Sequence, residues 1–164
     1  MPQALVELLQ ALAATAPASL FRNSTSAYAA LNAFHIFSIG LVIGSIVALD
    51  LRVLGLFRRA PLSALADPLS RVAATGVYCA ALSGFILFSV RPLAYAENPA
   101  FLIKIALVGL GILNALVLRT TYGWQLALEE DDEPIPDSVR AAAFRSLLIW
   151  TGAVFAGRWI GFLQ

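Results

Sequence analysis

The sequence predicts an all-α fold: an integral membrane four-helix bundle preceded by a short amphipathic interfacial helix. Two observations carry this expectation. The first is composition: 60% of the 164 residues are hydrophobic and only 13% charged, with a mean hydropathy of +0.81, whereas globular domains carry about 25% charge. The second is the presence of four apolar runs, each near the roughly 20 residues that cross a bilayer. These runs are continuous rather than alternating, and in lipid only helices or closed barrels satisfy the backbone, so the runs read as helices. Four spans with short connections fill the chain, so 1–164 is read as a single membrane domain.

The first element, residues 1–22, carries Leu5, Leu8, Leu9, Leu12 and Ala16 at helical spacing. It is too short to join the spans and reads as a helix along the membrane surface. Its start, "MPQALVELLQ", lacks the basic region of a cleavable signal peptide, so an uncut chain is expected. The spans follow at about 28–54, 69–90, 100–122 and 142–163. They are separated by "RRAPLSALADP", "RPLAYAENP" and "EEDDEPIPD", which are rich in proline and charge.

Orientation follows from Lys and Arg, which favour the cytoplasmic side. Arg52, Arg58, Arg59, Arg71, Arg119, Arg140 and Arg145 lie on one side. Arg22, Arg91, Lys104 and Arg158 lie on the other, which completes the 11 basic residues. Both termini are therefore expected in the periplasm of a bacterial cell, with "EEDDE" in the cytoplasm and the chain multi-pass in the inner membrane.

Small residues recur every fourth position in each span: Gly40, Gly44 and Ala48; Gly76, Ala80 and Gly84; Gly111 and Ala115; Ala153, Gly157 and Gly161. Such rows let helix backbones approach closely in lipid. On the first span the glycine row lies opposite a polar face of Asn32, His35, Ser38 and Asp50. The polar face is expected to line the interior while the glycines meet a neighbour; self-association through the glycines is the alternative.

Charged residues within spans are costly and are functional candidates. His35, Lys104 and Arg158 fall in the outer part of their spans, with Arg91 and Glu97 in the adjoining loop and Asn32 on the His35 face. Together they define a candidate ligand-binding site that faces outward and is polar and basic. For Lys104 and Arg158, snorkelling toward water is the simpler alternative. At the inner side, Asp50, Arg52 and Arg119 are candidates for ion pairs.

His35 is the only histidine, Met1 the only methionine and Cys79 the only cysteine. Six-coordinate haem needs two axial ligands, and Cu(I) favours several soft ones, so no metal site is predicted within one chain. One cysteine excludes an internal disulfide. Neither a His-Glu-x-x-His pair nor a phosphate loop or dinucleotide fingerprint is present, which argues against an enzyme. The net charge of +1 and the lack of a basic, aromatic-interleaved cluster argue against nucleic acid.

The stretches "FHIFSIGLVIGSIVALDLRVLG", "NPAFLIKI" and "GRWIGF" resemble the signatures of a family of bacterial four-helix inner-membrane proteins whose domain has no assigned function. The matching positions are His35, Asp50, Leu51, Arg52, Asn98, Pro99, Lys104, Gly157, Arg158 and Trp159. The resemblance implies the topology and no activity. Relatives with a histidine in the third span differ from this chain, which has Arg119 there. More distantly, a histidine near the outer start of the first span resembles copper-resistance protein D and the membrane protoporphyrinogen oxidases.

The leading expectation is an accessory or partner-binding membrane subunit with this outer-facing site. Its partners would be the bilayer and a membrane or periplasmic protein, and a homodimer is compatible with the glycine rows. The alternative is a redox protein binding haem b or quinone near His35. The third is a small-solute transporter depending on Asp50 or Arg119.

Overall fold

A computed structural model describes residues 1–129 and 133–163; Glu130, Asp131 and Asp132 of the acidic stretch and the terminal Gln164 lie outside the described residues. Four long apolar helices pack together: α3 (Thr25–Val53), α4 (Leu62–Val90), α6 (Pro99–Arg119) and α8 (Asp137–Trp159). A 3-10 turn over Ile160–Phe162 prolongs α8, and each of the four is long and apolar enough to cross a membrane. Before them come α1 (Gln3–Ala13) and α2 (Ala16–Asn23). The connections hold α5 (Pro92–Glu97) and α7 (Tyr122–Glu129).

The N-terminal segment is two helices rather than one continuous element. They meet at 65° across Ala14 and Thr15. Pro17 explains the break: it lacks the N–H that would continue the ladder and suits the first turn of a new helix. Thr15 turns extended, with ψ at 151°. Arg22 Nη1 then donates to Ala13 O at 3.0 Å and ties the second helix to the end of the first. The pair lies across the end of the bundle, α1 against α5 and α4, and α2 against α4 and α3.

Other boundaries also differ from the sequence reading, among them the start of α8 at Asp137 rather than at about 142. Helix α4 starts at Leu62, directly after Pro61, and runs through Pro68, which removes a single backbone bond from its second turn. Helix α6 stops at Arg119, and a separate α7 follows. There the Thr120 and Thr121 hydroxyls donate to Val117 O and Leu118 O at 2.8 and 2.7 Å, a local bonding that competes with helix continuation. Helix α3 ends in a Schellman motif, in which Leu56 N donates to Leu51 O and Gly55 N to Arg52 O. Gly55 supplies the positive φ of 105° that this turn requires.

In cross-section the helices run α4, α3, α8, α6. Helix α3 packs on α4 and α8, and α8 packs on α6. No Cα of α4 comes within 8 Å of α6; aromatic side chains bridge the two at the end that carries α5, where the Phe88 and Phe101 rings stack with centroids 5.5 Å apart. Only 6% of the apolar stretch of α6 is buried within the chain, so its surface is left for lipid. At the opposite end, which carries α7, Val53, Leu62, Trp124, Val139 and Ala143 form a buried apolar core joining α3, α4, α7 and α8.

The glycine rows divide into two kinds. A Cβ on Gly76 would stand 2.9 Å from Ser38 O, and one on Gly111 would stand 2.8 Å from the Trp150 indole. Gly76 lets α4 meet the α3 backbone, and Gly111 makes room on α6 for the Trp150 indole of α8. Gly40 and Gly44 have nothing within 4 Å. The polar face of α3 is the interior one, with Ser38, Ser45 and Asp50 buried, and its glycine face has no neighbour within the chain.

This division makes a direct prediction. Gly76→Ala drives a methyl into the backbone of α3 and should lower the unfolding free energy in detergent by about 1–3 kcal/mol. Gly44→Ala meets open space and should stay within about 0.5 kcal/mol of the parent. Equal losses in the two variants would contradict the packing.

Candidate functional site

His35 is the eleventh residue after the α3 N-cap, Ser24, whose hydroxyl accepts from Ala27 N. At 1.5 Å per residue that is about 16 Å along the axis, deeper than the span boundary at 28 implied. The ring faces α4. Its Nδ1 lies 2.9 Å from Ser83 Oγ, and Ser83 Oγ lies 2.6 Å from Cys79 O. A serine has one hydroxyl proton, and the carbonyl can only accept. Ser83 can place its proton on Cys79 O and accept from His35 Nδ1, or donate it to Nδ1, and the ring tautomer sets which. Gly84 makes the approach possible, since a Cβ there would stand 2.9 Å from the His35 Cε1.

Lys104 comes to this site from the second turn of α6. The N-terminus of α6 is fixed by Asn98, whose Oδ1 accepts from Ala100 N at 3.0 Å and Phe101 N at 3.3 Å. Asn98 Nδ2 also donates to Ile160 O at 3.3 Å, which fastens α6 to the end of α8. Half-buried Lys104 then runs across Gly157, where a Cβ would lie 3.5–3.7 Å from its Cδ, Cε and Nζ. Its ammonium is within electrostatic reach of the His35 ring. Among the described residues no carboxylate pairs with Lys104: the ion pairs there are Arg71–Asp67 and Arg140–Asp137.

The structure thus places Lys104 within electrostatic range of His35, without a hydrogen bond between them, and leaves the other candidates of that group apart. Arg158 is exposed and covers the Phe162 ring, its Cζ 4.8 Å from the centroid. Asn32 and Glu97 are exposed, and Arg91 lines a separate pocket beside Arg22, Tyr28 and Tyr95.

At the inner end, Asp50, Arg52 and Arg119 do not join in ion pairs among the described residues. The buried Asp50 faces the Ser146 hydroxyl of α8, and its Oδ2 has no hydrogen-bond partner. Buried Arg52 donates from Nε to Ala60 O at 2.6 Å and so pins the turn after α3. Arg119 is exposed at the end of α6. Among the described residues no group of three His, Cys, Asp or Glu side chains converges.

Three polar partners were not singled out in the sequence. Ser83 and Ser146 complete the His35 and Asp50 contacts, and Asn114 Nδ2 donates from α6 to Ala142 O of α8 at 3.1 Å. Ser83 does carry one signal, a hydroxyl lying directly beside the small-residue row of α4.

Helix length and hydropathy define a multi-pass membrane protein, with a His35–Ser83 contact between α3 and α4. Comparison of the chain with protein-family models, curated proteins and solved structures finds no match.

Asn98→Ala removes both the cap of α6 and its tie to α8, and should lower stability by about 1–2 kcal/mol in detergent unfolding. Asn98→Asp keeps the cap but loses the donor to Ile160 O, and should fall between the two. An unchanged Asn98→Ala midpoint would contradict this positioning of Lys104.

Proposed function

We propose that this is an accessory or partner-binding subunit of the bacterial inner membrane, with both termini periplasmic. In this reading it performs no reaction of its own and holds a ligand or partner group at the outer-half cluster of His35, Ser83 and Lys104. The supporting observation is that Lys104 lies within electrostatic range of His35 and pairs with no carboxylate among the described residues. A charge inside a span costs about 2.5–3.5 kcal/mol on the insertion scale. A cation kept there unpaired is suited to a visiting acceptor, such as a carbonyl or carboxylate oxygen. Membership of the four-helix family that the motifs resemble is part of the same proposal.

A second reading has its own support. The imidazole of His35 and the ammonium of Lys104 together suit a quinone, which offers carbonyl oxygens to N–H donors and, once reduced, hydroxyls. Haem b is less well matched, since His35 is the only histidine and the only methionine is Met1.

The test is purification from membranes of the wild type and of His35→Ala/Lys104→Met, with mass analysis of co-purified molecules and proteins and a visible spectrum. The wild type should carry a component that the double variant loses. A quinone in that position would favour the redox reading, and a Soret band lost in His35→Ala would favour haem. Identical components in both preparations would refute the site.

A further inference from the structure

We infer that a second site, at the outer end between α2 and the tips of α3 and α4, binds the phosphate head group of an anionic amphiphile. A cavity of about 290 Å³ opens there, near the lower bound of small-molecule pockets, about 300 Å³. Its polar lining is Arg22, Arg91, Tyr28, Tyr95 and Thr25. Every one of these side chains is cationic or carries a hydroxyl, and no carboxylate is present. Neither arginine has a carboxylate partner among the described residues. Two guanidiniums facing one cavity repel each other until an anion lies between them, and their planar forks match phosphate oxygens.

The site is also preorganised. The bond from Arg22 Nη1 to Ala13 O fixes that guanidinium and leaves its remaining N–H groups to point elsewhere. The Tyr28 and Tyr95 hydroxyls face each other, with Arg91 in electrostatic reach, and each hydroxyl has a proton to donate to a ligand.

The rest of the lining is apolar, from Phe21, Leu87 and Val90. Beside it, Leu20 of α2 and Leu5 and Leu8 of α1 are exposed. A basic cradle with an apolar floor, flanked by exposed leucines at the end of the spans, fits a ligand that carries phosphate at one end and acyl chain at the other. Arg22 and Arg91 stand 69 residues apart in sequence, and only the folding of α2 across the end of the bundle brings them to one cavity. This inference is independent of the His35–Lys104 reading.

The experiment uses the full chain in neutral detergent. Its thermal midpoint is followed on adding phosphatidylglycerol, phosphatidylcholine or inorganic phosphate at equal concentrations. Phosphatidylglycerol should raise the midpoint, phosphatidylcholine should not, and added salt should weaken the effect. Arg91→Gln should weaken the response about tenfold, as expected for losing a charged hydrogen-bond donor. Arg91 is exposed, so this variant should fold, and each variant is compared with its own lipid-free midpoint. Native mass spectrometry of the wild type, counting bound phosphatidylglycerol against phosphatidylcholine, supplies a second measurement that needs no variant. His35→Ala should retain the full response, which separates this site from the other. An equal response to inorganic phosphate would identify the soluble ion as the source of the same chemistry. Equal shifts with the two lipids, or an undiminished response in both Arg91→Gln and Arg22→Gln, would overturn the inference.

Discussion

The bundle depends on the backbone-distance approach of α4 to α3, which Gly76 and Gly84 permit. In lipid, apolar side chains gain nothing from leaving their solvent, so helices associate through close van der Waals packing and polar contacts. Gly76 brings the α4 backbone onto Ser38 O, and two turns further out Gly84 leaves room for the imidazole of His35. The same approach carries Ser83 to within 2.9 Å of that ring. Packing and site are therefore one feature: any side chain at Gly84 would displace the histidine and separate it from its hydroxyl partner.

The α6–α8 pair repeats this logic with different chemistry. Trp150 covers Gly111 in the middle of the pair, Asn114 bonds across it toward the inner end, and Lys104 crosses Gly157 toward the outer end. Helix α8 links this pair to α3, while α4 and α6 stay apart except for the aromatic bridge of Phe88, Tyr95 and Phe101. The result is two tight helix pairs with polar residues between them, in place of a closed ring of equal contacts.

Most of the helical plan was legible in the sequence, because span length and continuous hydropathy are local properties. The buried polar face of α3 was legible in part for the same reason: Ser38 and Asp50 follow helical periodicity from His35 and are buried, whereas Asn32 on that face is exposed and buried Ser45 was not on it. The partners across the bundle were not legible. His35 and Ser83 are 48 residues apart, and nothing in either stretch states that they meet. The glycine rows look alike on paper, yet Gly76 touches a backbone and Gly44 touches nothing. That difference depends on which way each helix is rotated, and the rotation is settled by contacts between helices. The break at Pro17 and the stop at Thr120–Thr121 were readable in principle, because proline and hydroxyl side chains act on their own turn.

Because the chain has a single histidine, its imidazole can be observed without assignment. Nitrogen-15 NMR of histidine-labelled protein in bilayers tests the account most directly. The contact of α3 with α4 predicts an Nδ1 hydrogen-bonded to Ser83, whose resonance moves when Ser83 is replaced by alanine. An Nδ1 resonance unaffected by Ser83→Ala would show that the two helices do not meet in this register.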